Sequence, residues 1–318
     1  MADKAVIVIP EHLRHMLEPR LPEGVELRTF TGMEEALALA PEAEIGWFEQ
    51  FEGGVMFKAS AAAENAKWIN TAGVGIDAFR TDLMIERGQI FTNGVGLRSD
   101  TIADFAVLGV LTLSRRFAPV LRAHDRREWA RAEKGSRQLA GSRALILGYG
   151  SIGRAIGDRL RAFGVEVIGV RRSPDDGDPS VIGAESWRAR LSEFDWVVIA
   201  APGTAETKHM LGAAEFAAMK SGCGIVNIAR GSLIDQAALV EALESGHLGG
   251  AVLDATTPEP LPADDPLWSA PNVVVTGHIA GHGQSDSTER AVERFLINLD
   301  HYLKGEPLEH VVDFSRGY

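Results

Sequence analysis

The stretch ALILGYGSIG, residues 144–153, decides the fold. An apolar run leads directly into G-x-G-x-x-G, and a helical pattern follows as far as Phe163. Gly148 permits a tight turn, Gly150 lets the backbone approach a pyrophosphate, and Gly153 allows the helix to pack closely on the strand. The N–H groups at the start of such a helix favour an anion. The stretch therefore predicts a strand, a phosphate-binding turn and a helix, which together indicate dinucleotide binding.

Further apolar runs with the length of buried strands lie on both sides of this stretch. They alternate with helical patterns, which is typical of parallel β-α-β units. Six runs would form the dinucleotide-binding sheet: 144–147, 165–170, 196–199, 224–228, 251–253 and 273–275. Three earlier runs indicate a second parallel sheet: 5–9, 44–48 and 67–70.

The length of 318 residues exceeds what one hydrophobic core usually supports, so we predict two α/β domains. A Rossmann-like dinucleotide-binding domain is expected over 99–285. A flavodoxin-like, substrate-binding domain is expected over 1–98 and 286–318, with the cofactor in the crevice between the two. The apolar helical pattern at 101–116 predicts a buried helix, and the pattern at 288–303 predicts a last helix that packs on the first domain.

Composition and charge exclude several classes of protein. With 45% hydrophobic and 24% charged residues, the chain is not largely disordered. A net charge of −12 disfavours nucleic acid, which requires clustered basic residues.

The single cysteine, Cys223, is compatible with a reducing compartment, so a cytoplasmic protein is expected. The N-terminal run to Pro10 is too short for a signal peptide or a membrane span, and we expect no membrane partner and no metal site.

The strand after the glycine turn ends in Val170-Arg171-Arg172-Ser173. Enzymes that bind NAD usually carry Asp or Glu at this position, where it accepts from the ribose 2′-hydroxyl. Two guanidinium groups would instead bind a 2′-phosphate through charge-assisted hydrogen bonds. The sequence therefore predicts NADP, with NAD possible. In the alternative, both arginines extend into water and NAD binds without a carboxylate contact.

Three predicted strands are followed by side chains that can carry acid–base chemistry. Arg230, Glu259 and His278 come after the runs at 224–228, 251–253 and 273–275. The carboxyl ends of parallel strands border the ligand crevice of an open α/β sheet, so the three side chains should converge there. Singly, each has an ordinary explanation: a surface ion pair, a loop carboxylate or a buried histidine. Their joint occurrence at strand ends favours a catalytic site.

Together with the segments 71–77 and 200–207, these motifs resemble the D-isomer-specific 2-hydroxyacid dehydrogenases, and most closely their NADPH-dependent glyoxylate and hydroxypyruvate reductase branch. The resemblance implies hydride transfer between a nicotinamide and a small 2-oxo acid. Arg230 would hold the substrate, His278 would exchange the proton, and Glu259 would steady the histidine. General acid catalysis by a protonated imidazole beside a carboxylate supports these roles.

The resemblance also implies the binding residues. Those for the cofactor are Gly148, Tyr149, Gly150, Ser151, Ile152, Gly153, Arg171, Arg172, Ser173, Pro202, Thr207, Ile228, Ala229, Asp254, His278 and Ala280. Those for the substrate are Val74, Gly75, Arg230 and His278, to which we add Trp47, for which core packing is an equal alternative.

Two departures from the family pattern affect the same region. Gly277 precedes the histidine where the family usually has Pro, which predicts a looser backbone. Ala255 and Thr256 stand where the family has a bulkier pair. Three readings therefore stay open: a glyoxylate or hydroxypyruvate reductase, an enzyme like phosphoglycerate dehydrogenase, and a nucleotide-sensing corepressor or binding protein. A homodimer through the segment 101–129 is expected from the resemblance.

Overall fold

The computed structural model describes residues 4–50, 52–129, 135–173, 177–283 and 286–315. The chain divides into two compact units, a first one of Met1–Leu97 with Gln284–Tyr318 and a second one of Arg98–Gly283. The boundary predicted at residue 285 lies outside the described residues. Each unit contains one parallel sheet, which confirms the predicted pair of α/β sheets.

The sheet of the first unit has five parallel strands in the order β2-β1-β3-β4-β5. They are β1 (Ala5–Pro10), β2 (Val25–Phe30), β3 (Ile45–Trp47), β4 (Trp68–Asn70) and β5 (Ile90–Thr92). The apolar runs identified β1, β3 and β4. The sequence missed β2, in which only Phe30 is buried, and β5, which is three residues long and begins with the exposed Ile90. Both are edge strands, so neither has to be apolar on both faces.

In the described part of the first unit there are five α-helices: α1 (Arg14–Leu17), α2 (Met33–Leu39), α3 (Val55–Ala62), α4 (Thr81–Glu86) and α10 (Ser287–Lys304). The last of these confirms the predicted terminal helix and its packing on the first sheet. Phe295 of α10 is fully buried, and its ring centroid lies 5.1 Å from that of Trp47 and 4.9 Å from that of Trp68. Leu299 adds a second apolar contact on the same face.

The sheet of the second unit has seven parallel strands in the order β12-β11-β10-β9-β6-β7-β8. They are β6 (Arg143–Leu147), β7 (Glu166–Arg171), β8 (Val181–Gly183), β9 (Trp196–Ile199), β10 (Gly224–Asn227), β11 (Gly250–Leu253) and β12 (Val273–Val275). Six were predicted, and that count was wrong by one. The additional strand, β8, is a three-residue edge strand beside β7, too short to produce a recognisable apolar run.

The α-helices of the second unit are α5 (Ser99–Ser114), α6 (Phe117–Asp125), α7 (Ser151–Ala162), α8 (Ala213–Ala218) and α9 (Gln236–Glu244). Helix α5 packs closely on the sheet at Gly109, where an added Cβ would lie only 3.0 Å from Val226. The predicted burial of this helix was wrong on one side, where Leu108 is 54% exposed. Among the described residues, no helix has both the length and the apolar character needed to cross a bilayer.

Candidate active site

Three neighbouring strands bring the predicted catalytic residues to one edge of the second sheet. Strand β11 lies between β10 and β12, and Asn227 pairs in register with Leu253, which pairs with Val275. Arg230 and His278 each follow their strand by three residues, so they leave the sheet at the same level. The backbone topology therefore supplies the convergence expected at the carboxyl ends of parallel strands.

The imidazole of His278 is paired with the carboxylate of Glu259. The His278 Nδ1 atom lies 2.9 Å from Glu259 Oε2, and the two side chains are 47% and 40% exposed. The other oxygen of Glu259 accepts a hydrogen bond of 3.0 Å from the backbone N–H of Thr256. Glu259 is thus held from one side and holds the histidine on the other, which leaves Nε2 of the ring available for a ligand.

The turn that carries His278 is fastened by Asp254, which is 1% exposed. Its backbone oxygen accepts from the N–H of His278 at 2.9 Å. Its carboxylate accepts from the Thr276 hydroxyl at 2.6 Å and from the N–H groups of Ile279 and Ala280 at 2.9 and 2.8 Å. His278 has a φ of 57°, a left-handed conformation that a non-glycine residue adopts only when its surroundings impose it. Asp254 provides those surroundings.

Asp254 therefore has a task that the sequence did not reveal, because we assigned it only to cofactor binding. The signal was present in the order of the strands: an Asp at the end of β11 next to a Thr at the end of β12. The same contacts bear on Gly277, which replaces a proline of the family pattern. A Cβ there would meet nothing within 4 Å, and the residues on both sides of Gly277 are hydrogen-bonded to Asp254. The turn is anchored without a proline ring.

The loop of Arg230 is held by the fully buried Asn227. The Asn227 amide donates to the backbone oxygen of Arg230 at 2.9 Å and accepts from the N–H of Ala229 at 3.0 Å. The next residue, Gly231, lies against the backbone of Thr256, where a Cβ would approach to 2.0 Å. Thr256 in turn donates to Glu259. A continuous series of contacts thus connects the loop of the predicted substrate-binding arginine to the histidine pair.

The glycine turn has the geometry that the motif predicts. Gly148 has a φ of 96°, and a Cβ there would lie 2.4 Å from the backbone nitrogen of Ala201. A Cβ at Gly153 would lie 2.1 Å from the Gly148 oxygen, so the start of α7 and the end of β6 are in contact. In contrast, a Cβ at Gly150 would meet nothing within 4 Å. This open position beside the N-terminus of α7, which begins at the exposed Ser151, fits a pyrophosphate.

Two residues of the same motif point elsewhere. The ring of Tyr149 is 3% exposed and packs against the backbone of Gly157 and Gly169. Ile152 is partly buried against the apolar core of the unit. The buried ring of Tyr149 belongs to the core, so the interpretation of Tyr149 as a cofactor contact is corrected to its backbone alone. Ile152 is only partly buried, and its contact with the cofactor stays a prediction.

The predicted adenosine-side residues lie at the end of β7. Arg171 is the last residue of the strand and is partly buried, and Arg172 and Ser173 are exposed. The guanidinium of Arg172 donates to Glu206 over 3.0 Å. The exposed Glu206 belongs to the loop after β9, and sequence reasoning missed its pairing with Arg172 because no motif connects this loop with β7.

The remaining predicted cofactor residues lie in the loops that follow β9, β10 and β12. The hydroxyl of Thr207 donates to the Pro202 oxygen at 2.7 Å, so it fixes the loop. Ile228, Ala229 and Ala280 are buried, with 7%, 8% and 3% of their surface exposed. Their side chains offer little surface to a ligand.

In the first unit, the structure corrects one predicted substrate residue. Trp47 is 1% exposed and packs on Phe295, so it belongs to the core. Glu49, two residues after Trp47, was not singled out from the sequence; it accepts from the hydroxyl of Thr71 and the N–H of Ala72, both at 2.9 Å. Glu49 therefore ties the end of β3 to the segment that leads to the predicted substrate residues.

Val74 and Gly75 lie in the irregular segment between β4 and α4 and are partly buried. The backbone oxygen of Val74 accepts from the Asn93 amide at 3.0 Å. Within the described part of the chain, the N–H groups of Val74 and Gly75 are not paired with a backbone or side-chain acceptor. Both donors are available to an anionic ligand.

Comparisons with known proteins place the chain in a family. Residues 107–280 match the model of the D-isomer specific 2-hydroxyacid dehydrogenase NAD binding domain. The D-3-phosphoglycerate dehydrogenase of Mycobacterium leprae is 30% identical over 322 residues, which cover 99% of this chain and 60% of that protein. The glyoxylate reductase of Thermococcus litoralis is 32% identical over 253 residues, which cover 77% and 76% of the two chains.

A solved structure extends the similarity to the whole fold. The D-isomer specific 2-hydroxyacid dehydrogenase from Xanthobacter autotrophicus Py2, in complex with NADPH and MES, has a TM-score of 0.80 and 28% identity, with 100% of both chains covered. The chain spans only 60%, 55% and 48% of the length of three D-3-phosphoglycerate dehydrogenases that it matches. The family match, the strand order and the glycine turn lead to one conclusion: the chain belongs to the D-isomer specific 2-hydroxyacid dehydrogenase family.

Proposed function

We propose that the protein is an NADP-dependent oxidoreductase that reduces glyoxylate, hydroxypyruvate or a similar small 2-oxo acid to the 2-hydroxy acid. One observation carries the proposal: an imidazole held 2.9 Å from a carboxylate, at the sheet edge to which Arg230 also belongs. The family membership supports it, as does the similarity to a glyoxylate reductase.

His278 is the proton donor in this proposal, and Arg230 binds the substrate. When bound, the nicotinamide supplies the hydride, and charge then develops on the carbonyl oxygen of the 2-oxo acid. An imidazolium that keeps Nδ1 on Glu259 can donate its Nε2 proton to that oxygen. Glu259 orients the imidazole through Nδ1, and the planar guanidinium of Arg230 offers two parallel donors to the substrate. Backbone N–H groups of Val74 and Gly75 are proposed to receive the carboxylate.

The proposed preference for NADP rests on the end of β7, where Arg171 and Arg172 stand in place of a carboxylate. A 2′-phosphate gains charge-assisted hydrogen bonds from guanidinium groups, which a 2′-hydroxyl does not. The solved structure of the Xanthobacter relative contains NADPH, which agrees with this choice for a member of the family.

A phosphoglycerate dehydrogenase activity is the second candidate, because the D-3-phosphoglycerate dehydrogenase of Mycobacterium leprae is 30% identical over nearly the whole chain. A third candidate, a dinucleotide-sensing protein with slow turnover, uses the same glycine turn. The three candidates differ in the substrate that is turned over with the cofactor, and the sensor turns over its cofactor only slowly. One set of assays therefore separates them.

The test is a panel of substrates with both cofactors, followed by nicotinamide absorbance. We expect glyoxylate and hydroxypyruvate to be reduced with NADPH, and 3-phosphoglycerate to be oxidised poorly with either oxidised cofactor. Replacing His278 with Asn should lower kcat by about 10²- to 10⁴-fold, because the general acid is lost. Tight NADPH binding without turnover of any 2-oxo acid would favour the sensor, and efficient oxidation of 3-phosphoglycerate would favour the second candidate.

We also propose that the protein is a cytoplasmic homodimer that pairs through α5 and α6. Four large apolar side chains of this region are exposed, and burial of such a group in a partner would be favourable: Leu108, Phe117, Leu121 and Trp129. Sedimentation equilibrium would test the proposal, and a Leu121→Glu variant should then sediment as a monomer.

A further inference from the structure

Arg172 and Glu206 form an ion pair that spans one strand of the second sheet. The Arg172 Nη2 atom lies 3.0 Å from Glu206 Oε2. Arg172 follows β7, Glu206 lies in the loop after β9, and β6 lies between these two strands. The pair therefore connects the segments on the two sides of the strand that ends in the glycine turn.

Both of those segments are in direct contact with the turn. The N–H groups of Gly148 and Tyr149 donate to the Val170 oxygen at 3.2 and 2.8 Å. On the opposite side, the Cβ position of Gly148 lies 2.4 Å from the Ala201 nitrogen. The ion pair thus links the two segments that contact the glycine turn from opposite sides. The open position at Gly150 belongs to this turn.

This arrangement matters for a ligand that carries a second phosphate. A 2′-phosphate that binds Arg172 must displace the Glu206 carboxylate or lie beside it, and either outcome weakens the attraction. A neutral 2′-hydroxyl meets no such repulsion. Glu206 is 76% exposed and Arg172 is 46% exposed, so the carboxylate can turn into water when it is displaced.

From these contacts we infer that Glu206 competes with the 2′-phosphate for Arg172 and sets how strongly the protein prefers NADP(H) to NAD(H). The inference rests on the proposed use of a nicotinamide dinucleotide. It adds a specificity-determining residue that lies outside the strand end where the two arginines are found.

The experiment compares the dissociation constants of NADPH and NADH, measured by calorimetry, for the wild type and Glu206→Gln. The substitution should tighten NADPH binding by about two- to fivefold, the range expected when one exposed ion pair is removed, and leave NADH binding unchanged. Adenosine 2′,5′-bisphosphate should show the same gain and 5′-AMP should show none, since only the former carries the 2′-phosphate.

Glu166→Gln is the matched control. Glu166 is also exposed and pairs with an arginine, Arg143, at 2.8 Å. It is the first residue of β7, so it lies at the opposite end of the strand from Arg172. This variant changes the net charge equally and should alter neither dissociation constant. In an Arg172→Gln background, Glu206→Gln should lose its effect, because the competition is for that guanidinium.

Unchanged or weaker NADPH binding by Glu206→Gln would overturn the inference. Weaker NADH binding with NADPH binding unchanged would also overturn it, since Glu206 would then accept from the 2′-hydroxyl. If the wild type binds neither dinucleotide, the proposed function is wrong and this inference fails with it. If the wild type binds both and their ratio is insensitive to Glu206, only the inference fails.

Discussion

Replacing Asp254 with Asn is the most informative perturbation of the site, because it exchanges one carboxylate oxygen for an NH₂ group and keeps the shape of a buried side chain. In the wild type, one carboxylate oxygen accepts from the Thr276 hydroxyl and the Ile279 N–H, and the other accepts from the Ala280 N–H. An asparagine can present its oxygen to the first pair of donors. Its NH₂ group then faces the N–H of Ala280, so two donors point at each other in a buried place.

The magnitude follows from these three bonds. One charge-assisted hydrogen bond disappears, a buried N–H loses its acceptor, and the other two bonds weaken with the loss of charge. Together these effects should lower the free energy of unfolding by about 3 kcal/mol. The left-handed turn of His278 loses part of its support at the same time. A displacement of the imidazole by about 1 Å is enough to lower kcat by about 10²-fold.

The assays are urea unfolding, steady-state kinetics and NADPH binding. Asp235→Asn is the control, because Asp235 caps α9 through a bond to the Ala238 N–H and asparagine caps helices equally well. Thr276→Val removes the shortest of the three bonds and should lower kcat in the same direction. The reasoning is refuted if the free energy of unfolding of Asp254→Asn lies within about 0.5 kcal/mol of the wild-type value, which is the range of ordinary surface changes, while only the NADPH affinity falls.

Four other substitutions test three separate parts of the molecule. Arg171→Asp should weaken NADPH binding far more than NADH binding, because it places a negative charge where a 2′-phosphate is proposed to bind. Equal losses of affinity for the two cofactors in calorimetry would argue against the NADP preference. Gly150→Ala should fold normally and bind dinucleotide weakly, since its Cβ enters only open space, whereas Gly148→Ala should also lose thermal stability, because its φ is 96° and its Cβ would meet backbone at 2.4 Å. Hydrogen bonds from Arg190 and a second arginine lower the pKa of Glu193 from 4.5 to about 2. The folded state therefore gains stability that is fully present above about pH 4.5 and is lost as the pH falls towards 2, so Glu193→Gln should flatten the acid limb of the stability curve, and an unchanged limb would contradict this.

The parts of the site that the sequence predicted depend on local chemistry. The glycine turn is recognisable because the backbone itself imposes glycine at Gly148 and Gly153. The positions of Arg230 and His278 follow from the rule that parallel strands end at one edge, together with apolar runs long enough to locate those strands. Neither inference needs knowledge of which side chains touch.

The parts that could not be predicted depend on distant contacts or on weak hydrophobic patterns. A tryptophan at a strand end fits a core or a pocket equally well, and Phe295, far along the chain, decides for the core in the case of Trp47. The Asp254 contacts need the register of two strands before they can be seen. Strand β8 was missed because three residues at a sheet edge carry too little apolar area to mark them.

The burial of Tyr149 constrains how relatives of this chain can diverge. Its ring occupies the space that side chains at positions 157 and 169 would need, and a Cβ at Gly169 would lie 2.2 Å from the ring itself. A larger residue at 169 is therefore compatible only with a smaller one at 149, so these two positions should covary across an alignment. The residue at position 149, the first x of G-x-G-x-x-G, would then depend on the packing beneath α7. Its identity would carry no information about which nucleotide is bound.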